Sequence, residues 1–422
     1  MPETLDAWLA HIERLHDQPI ALGLERVLAV KERLGLTATA PVITVGGTNG
    51  KGSTCAMLER ILLAAGYRVG LYTSPHLLRY HERVRINGAE ADDATLCRAF
   101  AEVEAARGDI PLTYFEFGTL AAWAAFARAG LDALVLEVGL GGRLDAVNAF
   151  DTDCAVITSV DLDHMDYLGD TREAIGREKA GIFRAARPAI VADSAPPATL
   201  VAHAEAVGAR LWLIGRDFGY SAGQLQWRYW NGPCGVRRSG LAYPALRGAV
   251  QLANASACLA ALDALAGRLP VSMQEIRRGL IEVELPGRFQ VLPGRPAVVL
   301  DVGHNPQAAQ VLAANLGGMG HYPRTWAVFG MLRDKDIAGV IGHLRGRVDH
   351  WLPATLEGPR AASAAQLADL LQAQGIAPWG TYASPAAAYR AAREAAAEND
   401  RILVFGSFLT VADVLRAIAA QS

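Results

Sequence analysis

The 422-residue chain has few cysteines, little net charge and no long uncharged apolar run. Its five cysteines are odd in number and never occur in C-x-x-C spacing, which argues against a disulfide framework and a zinc knuckle. No uncharged apolar run reaches the roughly 20 residues that span a bilayer. The formal net charge of −3 provides no basic field for nucleic acid or anionic membranes. Residues 1–11 lack a basic region followed by an apolar core, so no signal peptide is expected.

The composition that remains is typical of a globular, cytoplasmic enzyme. Apolar residues make up 51% of the chain and charged residues 20%, which excludes long-range disorder. At about 100–200 residues per domain, the length predicts two or three domains.

Short apolar runs alternate with helical sequence, which is typical of a mostly parallel sheet with helices on both faces. The strands predicted in the first part of the chain are 42–45, 69–72, 134–138, 154–160 and 189–192. The helices predicted there are 53–65, 92–106, 117–129 and 254–267, the last with Asn254 as its N-cap. Residues 224–243, rich in aromatic residues and glycine, predict a small β excursion.

Two Pro-Gly pairs, at 286–287 and 293–294, indicate a linker. The alternation restarts after it, with predicted strands at 297–300, 325–329, 350–352 and 402–405. We therefore predict two α/β domains, over residues 1–286 and 287–422.

A glycine-rich loop over residues 46–54 follows the first strand and leads into a helix. Backbone N–H groups of such a loop, a helix N-terminus and the charge of Lys51 together can hold phosphates. The strict G-x-x-x-x-G-K-[ST] spacing is not met, because Val45 occupies the first glycine position and Gly52 the hydroxyl position. Ser53 or Thr54 must then supply the hydroxyl. The alternative is an ordinary strand–helix turn.

Polar side chains also follow the next three strands, at what would be the same sheet edge. They are Ser74 and His76, then Glu137 and Asp145, then Asp161, Asp163, His164 and Asp166. Glu137 lies in an apolar run, so its carboxylate needs a partner. That partner is either a metal ion near a triphosphate or an ion pair with Arg143 or Lys51. For His164, the alternative to a metal site is a solvated acidic loop.

Lys179 lies four residues after Ile175 and three before Ile182, on the apolar face of a predicted short helix. A lysine there either extends its amine to water or has its pKa lowered by desolvation, and carbamate formation with carbon dioxide requires the second. The alternative is a salt bridge to Glu178 or Glu173.

In the second domain, Asp301 at a strand end can bind a ribose hydroxyl, and Arg288 in the linker can bind a phosphate. Their alternatives are a helix-turn carboxylate and a solvated linker arginine.

The chain resembles the folylpolyglutamate synthases of the Mur ligase superfamily. Within them, it resembles the bacterial enzymes that combine dihydrofolate synthase and folylpolyglutamate synthase activities. The segments that carry the resemblance run in order from about residue 20 to residue 415: LGLERV at 22–27, GTNGKGS at 47–53, TSPHL at 73–77, YHERV at 80–84, LEVGLGGRLD at 136–145, LDH at 162–164, GREKAGI at 176–182, PGRFQ at 286–290 and GSF at 406–408. The resemblance implies an N-terminal P-loop-type ATPase domain with a parallel sheet and a smaller C-terminal Rossmann-like α/β domain.

The resemblance also implies roles for individual residues. The implied ATP contacts are Asn49, Gly50, Lys51, Gly52, Ser53, Thr54, Asn254, Arg288 and Asp301, with Asp301 on the ribose. The implied Mg²⁺ ligands are Ser74, Glu137, His164 and Lys179 as a carbamate. The implied pterin contacts are Phe115, Asp145 and Ala146, and the residues near the glutamate site are His304 and Ser407. Lys51, Lys179 and His164 are implied to be catalytic.

The sequence departs from the common family pattern at three positions: Val147 stands for threonine, Gly303 for alanine, and Leu409 for histidine or tyrosine. The departure at Leu409 removes a polar group close to the implied glutamate site. None of the three is an implied phosphate or metal residue.

The implied reaction is ATP-dependent ligation of L-glutamate to dihydropteroate, followed by γ-glutamyl extension of reduced folates, both through an acyl phosphate. One or two Mg²⁺ ions would serve as cofactors and ATP as co-substrate. The partners would be small molecules only, without nucleic acid or membrane, and the chain a monomer. Two alternatives stay open. A Mur-type ligase for another carboxylate, such as a UDP-sugar peptide, usually carries a further N-terminal domain, whereas about 40 residues precede the loop here. A P-loop NTPase switch would hydrolyse nucleotide without forming an amide.

Overall fold

Residues 2–18, 20–248 and 250–420 are described by the computed structural model, and they fold as two units. The first unit comprises Met1–Ala245 and Leu252–Val283, and the second comprises Leu246–Gln251 and Glu284–Ser422. The chain thus enters the continuous part of the second unit at Glu284, close to the Pro286-Gly287 pair.

An eight-stranded sheet forms the centre of the first unit, in the order β4-β3-β2-β5-β1-β6-β7-β8. Its strands are β1 Val42–Gly46, β2 Val69–Tyr72, β3 Val84–Ile86, β4 Ala89–Glu90, β5 Ala133–Glu137, β6 Cys154–Ile157, β7 Pro188–Val191 and β8 Arg210–Leu213. The six parallel strands are β2, β5, β1, β6, β7 and β8. Strands β3 and β4 add an antiparallel edge beside β2. Every residue of β1, β2, β5, β6 and β7 is buried, as expected where helices cover both faces of a parallel sheet.

Helices and two 3₁₀ turns surround this sheet. The helices are α1 Leu5–Ile12, α2 Glu25–Leu34, α3 Lys51–Ala64, α4 Asp93–Arg107, α5 Tyr114–Arg128, α6 Met165–Leu168, α7 Arg172–Ala180, α8 Ala198–Val207, α9 Val250–Ala264 and α10 Met273–Glu282. The 3₁₀ turns are Tyr80–Arg83 and Ala146–Ala149. Several helices begin at side-chain caps, such as the reciprocal capping box of Thr113 and Glu116 at the start of α5. No helix of the described residues is long and apolar enough to cross a membrane.

A separate antiparallel sheet contains β9 Phe218–Ala222, β10 Gln226–Asn231 and β11 Val236–Ala242, in the order β11-β10-β9. It confirms the predicted β excursion. A buried cluster connects this sheet to α9, because the Asp263 carboxylate accepts hydrogen bonds from the Tyr229 hydroxyl at 2.9 Å and from the Arg238 guanidinium at 2.6 Å.

The second unit is built on a five-stranded sheet in the order β12-β13-β16-β14-β15, in which β12 alone is antiparallel. The strands are β12 Gln290–Leu292, β13 Ala297–Asp301, β14 Thr325–Phe329, β15 His350–Pro353 and β16 Arg401–Phe405. The helices are α11 Pro306–Gly318, α12 Ile337–Leu344, α13 Ala364–Ala373, α14 Pro385–Ala395 and α15 Phe408–Ala419. The predicted α/β class and the predicted strands of this unit are confirmed.

Three local predictions were wrong. The helix placed at 254–267 begins at Val250, so Asn254 lies inside α9 and is not its N-cap. The strand placed at 154–160 ends at Ile157, because Thr158 and Ser159 turn to bond the glycine-rich loop. Helix α5 begins at Tyr114 rather than at residue 117, which places Phe115 in its first turn. The sequence analysis also missed β3, β4, β8 and β12, which are edge strands or strands next to an edge.

Candidate active site

The glycine-rich loop joins β1 to α3 and has the backbone that its glycines allow. Gly47 has φ +145° and Gly50 has φ +90°, a region that side chains disfavour. A Cβ atom on Gly47 would lie 1.9 Å from Thr158 Oγ1, so only glycine fits. Gly50 occupies the N-cap position of α3 and contributes no side-chain cap, so the partial positive charge of the helix N-terminus lies at this loop.

The loop is held against the segment after β6. Thr48 donates its N–H to Ser159 O at 2.7 Å and its hydroxyl to Asp161 O at 3.1 Å. Asn49 N–H donates to Ser159 Oγ at 3.1 Å, and Thr158 Oγ1 donates to Asn49 O at 2.6 Å. These contacts fix the loop and the segment that leads to His164 relative to each other.

Lys51 is the first residue of α3, and its side chain turns back over the loop. Its Nζ donates to Gly47 O at 3.1 Å and to Thr48 O at 3.3 Å. Ser53 and Thr54 lie in the first turn of the helix and are buried. The charge of Lys51 therefore lies against the backbone of the loop.

Glu137 ends β5, level with Val45 of β1, and is 3% exposed. Its Oε2 accepts the N–H of Ser74 at 3.2 Å, so the ends of β5 and β2 meet as predicted. The two residues offered as ion-pair alternatives are engaged elsewhere. Arg143 pairs with Glu178 at 2.9 Å, and Lys51 donates to its own loop.

Lys179 lies on α7 and is only 4% exposed, which confirms its predicted position on the buried face. The loop after β5 packs on the backbone of this helix. Arg143 N–H donates to Glu178 O at 2.8 Å, and a Cβ on Gly142 would lie 2.9 Å from Lys179 O. Gly142 therefore permits the close approach that buries the lysine.

Burial lowers the pKa of Lys179 from its usual value to about 7, and the nearby charge of Lys51 acts in the same direction. The carboxylates of Asp163 and Asp145 act against this shift. The predicted alternative of a salt bridge to Glu178 or Glu173 is wrong. Glu178 pairs with Arg143, and the Glu173 carboxylate accepts N–H bonds from the start of α8, including that of Thr199 at 3.0 Å.

Asp145 is 3% exposed and caps the 3₁₀ turn Ala146–Ala149. Its Oδ1 accepts the N–H of Val147 at 3.0 Å and its Oδ2 accepts that of Leu140 at 2.8 Å. Burial raises the pKa of Asp145 to about 7, although these N–H groups and the charge of Lys51 favour the carboxylate. The Phe115 ring lies on Gly139 of the same loop, where a Cβ would come within 2.6 Å of it. Phe115 and Asp145 thus border one loop.

His164 precedes α6 in a left-handed conformation with φ +51°, and its N–H donates to Asp163 Oδ1 at 2.9 Å. No group of three His, Cys, Asp or Glu side chains capable of holding a metal occurs in residues 2–18, 20–248 and 250–420. The donors near the phosphate loop are instead one buried carboxylate, Glu137, and the hydroxyl of Ser74. This set fits Mg²⁺, which takes one or two carboxylates and completes its shell with waters and substrate phosphates.

Asn254 projects from α9 toward the phosphate loop: a Cβ on Gly50 would lie 2.7 Å from its Oδ1. Asn254 is 6% exposed.

The sequence analysis missed another contact that positions this region. Asp193, after β7, accepts the N–H of Val160 at 2.7 Å, and Arg172 donates to Val160 O at 2.9 Å and pairs with Asp193 at 3.2 Å. No short-range sequence pattern connects these three residues.

The second unit contains the remaining predicted residues. Asp301 ends β13, and its carboxylate accepts the N–H of Gly303 at 2.7 Å and that of Phe289 at 3.0 Å. Burial raises the pKa of Asp301, and the N–H groups and the Arg288 charge oppose this. A Cβ on Gly303 would lie 2.7 Å from Asp301 Oδ1. This close approach is a physical reason for glycine at position 303, where the common family pattern has alanine.

Arg288, His304 and Ser407 also lie in the second unit. The Arg288 guanidinium lies 5.4 Å from the centroid of the Phe408 ring. His304 Nδ1 is 3.0 Å from Val302 O, and Ser407 caps α15 by accepting the N–H of Leu409 at 3.2 Å. The side chain of Leu409 is exposed.

Two family models match the chain in sequence order. The model of the Mur ligase middle domain matches residues 45–262, and that of the Mur ligase glutamate ligase domain matches residues 287–408.

Similar proteins cover almost the whole chain. The dihydrofolate synthase/folylpolyglutamate synthase of Escherichia coli (strain K12) is 48% identical over 99% of this chain and 96% of its own length. The solved structure of E. coli FolC in complex with DHPP and ADP has a TM-score of 0.94 at 48% identity and covers 100% of both chains. A solved bifunctional folylpolyglutamate synthase/dihydrofolate synthase with Mn, AMPPNP and L-glutamate bound has a TM-score of 0.91 at 49% identity, over 99% of this chain and 98% of its own. Because both family models match in order and a relative of this identity spans nearly every residue, the chain belongs to the Mur ligase family and, within it, to the dihydrofolate synthase/folylpolyglutamate synthases.

Proposed function

We propose that the chain ligates L-glutamate to dihydropteroate at the expense of ATP, giving dihydrofolate, and that it extends reduced folates by γ-linked glutamate. The observation that carries the proposal is the presence of a glycine-rich phosphate loop and a buried Lys179 amine at one sheet edge, in a chain similar to these synthases over its full length. An NTPase switch does not explain the buried lysine.

In the proposed reaction, a carboxylate oxygen of the folate precursor attacks the γ-phosphate of ATP. The bond between the γ-phosphate and ADP breaks, and an acyl phosphate forms. The amine of L-glutamate then attacks the acyl carbon, a tetrahedral intermediate loses phosphate, and one amine proton departs. The reaction requires two anions to approach each other, so the main task of the protein is to position them and offset their repulsion.

The phosphates are proposed to lie on the loop N–H groups and Lys51, with contributions from Asn49, Gly50, Gly52, Ser53 and Thr54. Lys51 Nζ is already directed over this loop, so phosphate oxygens would replace its contacts with Gly47 O and Thr48 O. Because helix α3 has no side-chain cap, its N-terminal partial charge also faces the phosphates.

Ser74, Glu137, His164 and the carbamate of Lys179 are proposed to hold Mg²⁺. When bound, Mg²⁺ neutralises charge on the phosphate oxygens. The carbamate forms when the neutral Lys179 nitrogen attacks carbon dioxide, making one N–C bond and releasing one proton. Burial of this amine supports the step because the uncharged form is the nucleophile.

Phe115, Asp145 and Ala146 are proposed to contact the pterin. Asn254, Arg288 and Asp301 are proposed to contact ATP, with Asp301 on the ribose. His304 and Ser407 are proposed to lie near the glutamate site. We further propose that residues 1–286 bind ATP and pterin and that residues 287–422 complete the ATP and glutamate sites. We also propose that the protein is a cytoplasmic monomer and that it has no nucleic-acid or membrane partners.

Product analysis tests the function directly. Purified protein with ATP and Mg²⁺ is given glutamate with dihydropteroate, and then glutamate with tetrahydrofolate. We expect ADP release to depend on both substrates, and mass spectrometry to detect one added glutamate residue in each product. A rate of ATP hydrolysis that does not change when either folate compound is added would overturn the proposal in favour of an NTPase.

Replacing Glu137 with glutamine should raise the Mg²⁺ concentration needed for half-maximal activity by about 10-fold or more, because a neutral amide is a weak Mg²⁺ ligand. His164→Ala should act in the same direction. Glu90→Gln is the control, because Glu90 lies on the edge strand β4 and its carboxylate pairs with Arg79. Magnesium titrations that overlay those of the unsubstituted protein would show that Glu137 is not a ligand.

Replacing Asp145 with alanine should impair dihydropteroate addition more than tetrahydrofolate extension. Its carboxylate is proposed to accept pterin N–H groups, and these contacts make up a larger share of binding for the substrate that lacks a glutamate tail. The same change leaves the N–H groups of Val147 and Leu140 without their acceptor, at a cost of about 1–3 kcal/mol in unfolding free energy. The two effects are separated by measuring both activities well below the melting temperature. Equal losses of both activities would indicate a structural role alone.

A further inference from the structure

Arg83 is a half-buried cation beside the end of β2. It ends the 3₁₀ turn, and its carbonyl oxygen accepts the N–H of Thr73 at 3.0 Å, so it neighbours Ser74. Its guanidinium lies between two aromatic rings, with Cζ 5.6 Å from the ring centroid of Tyr80 and 5.4 Å from that of Tyr114. These rings hold the guanidinium plane in place.

The Arg83 side chain bonds to a histidine. Its Nε donates to His76 Nδ1 at 2.8 Å. Within residues 2–18, 20–248 and 250–420, no Asp or Glu forms an ion pair with Arg83. The adjacent arginines do have such partners: Arg79 pairs with Glu90 at 2.8 Å and Arg85 with Glu59 at 3.0 Å.

Arg83 also belongs to the region where the folate precursor is proposed to bind. Burial raises the pKa of the Tyr72 hydroxyl to about 12. The nearby charge of Arg83 lowers this pKa and that of Asp145 raises it. The Tyr72 ring lies 6.1 Å from the ring of Phe115, and Thr119 donates to the Tyr72 hydroxyl at 3.2 Å. A half-buried guanidinium that is held between two rings can bind a carboxylate, to which it donates two parallel hydrogen bonds.

We propose that Arg83 binds the α-carboxylate of the reduced-folate substrate, a group that dihydropteroate does not have. The inference rests on the proposed function. The reacting carboxylate must lie with the phosphates and the metal ligands, beside Ser74 and Glu137. In a folate monoglutamate, three carbon atoms separate the reacting γ-carboxyl from the α-carboxyl, so the second anion falls beside the first. Arg83 neighbours Ser74 and, among the described residues, pairs with no carboxylate.

The substitutions Arg83→Met and Arg83→Lys test this role. Loss of a charge-assisted contact should raise KM for tetrahydrofolate by about 10–100-fold with Arg83→Met, while KM for dihydropteroate changes by less than about twofold. Arg83→Lys should recover part of the affinity, because lysine keeps the charge but not the planar fork. Arg79→Met is the matched control, as an arginine of the same segment with an exposed side chain, and both KM values should stay unchanged.

A change in the substrate gives an independent measurement that does not depend on folding of a variant. With the unsubstituted protein, converting the α-carboxylate of tetrahydrofolate to an amide should raise KM by about 10–100-fold. With Arg83→Met the same conversion should have little further effect. An equal rise in KM for both natural substrates, or an α-amide effect that persists in Arg83→Met, would overturn the inference. Absence of ligation with either substrate in the unsubstituted protein would instead overturn the proposed function itself.

Discussion

Replacing Lys179 with alanine is expected to reduce ligation with both folate substrates by at least about 100-fold, the scale of losing one preorganised charge at a developing transition state. The amine is buried on α7, so the substitution removes the only atom that could carry a carbamate at this position. Glutamate is too short to reach the same place, and Lys179→Glu should be nearly as inactive. The measurement is the initial rate of product formation with saturating ATP and Mg²⁺.

Short carboxylic acids are expected to restore part of the activity of Lys179→Ala, because an added carboxylate can occupy the space of the carbamate. Arg177→Ala is the control, since this arginine lies on the same helix with its side chain exposed. It should retain the activity of the unsubstituted protein and show no response to the added acids.

The pH dependence of carbamate formation provides a second measurement. With a pKa of about 7, about one tenth of Lys179 is neutral at pH 6 and about nine tenths at pH 8. After removal of carbon dioxide, reactivation at a fixed concentration of dissolved carbon dioxide should therefore become faster from pH 6 to pH 8. A lysine with an ordinary pKa would be less than about 1% neutral at pH 8, and its rate would still rise about tenfold per pH unit from pH 8 to pH 9.

Two results would contradict the role of Lys179. One is full activity in Lys179→Ala. The other is an unmodified amine, observed by crystallography or by labelling with isotopic bicarbonate, in fully active protein near neutral pH with Mg²⁺ and bicarbonate present.

Replacing Lys51 with alanine is expected to abolish ATP-dependent ligation, again by at least about 100-fold, while leaving the fold intact. Its Nζ makes its hydrogen bonds to the backbone oxygens of Gly47 and Thr48, so its loss removes charge over the phosphates and does not open the core. The rate of ADP and folate product formation gives the effect, and the circular dichroism spectrum checks the fold.

Arg60→Ala is the matched control for Lys51, since Arg60 is a cation on the same helix that pairs with Glu282. It should lower activity by less than about twofold, because loss of an exposed ion pair has a small effect. Comparable turnover in Lys51→Ala and the unsubstituted protein, with unchanged spectra, would exclude a phosphate role for Lys51.

Local sequence determined the features that depend on near neighbours along the chain. The continuous apolar runs of β1, β5 and β14 indicate strands buried on both faces, and the structure confirms them. The order of glycines and Lys51 between a strand and a helix predicts the phosphate loop. The spacing of Lys179 from Ile175 and Ile182 predicts its buried face, because one helical turn relates these positions.

Tertiary structure alone decided what depends on residues far apart in the chain. The strand order β2-β5-β1-β6 brings Ser74 to Glu137 and the glycine-rich loop to Ser159, and no local pattern encodes that order. Asn254 comes to Gly50 because the fold packs α9 beside the glycine-rich loop, where this residue lies within the helix and not at its N-cap. That no carboxylate in the described part of the chain pairs with Arg83 is likewise visible only in three dimensions, because sequence shows which charges are present but not which of them meet.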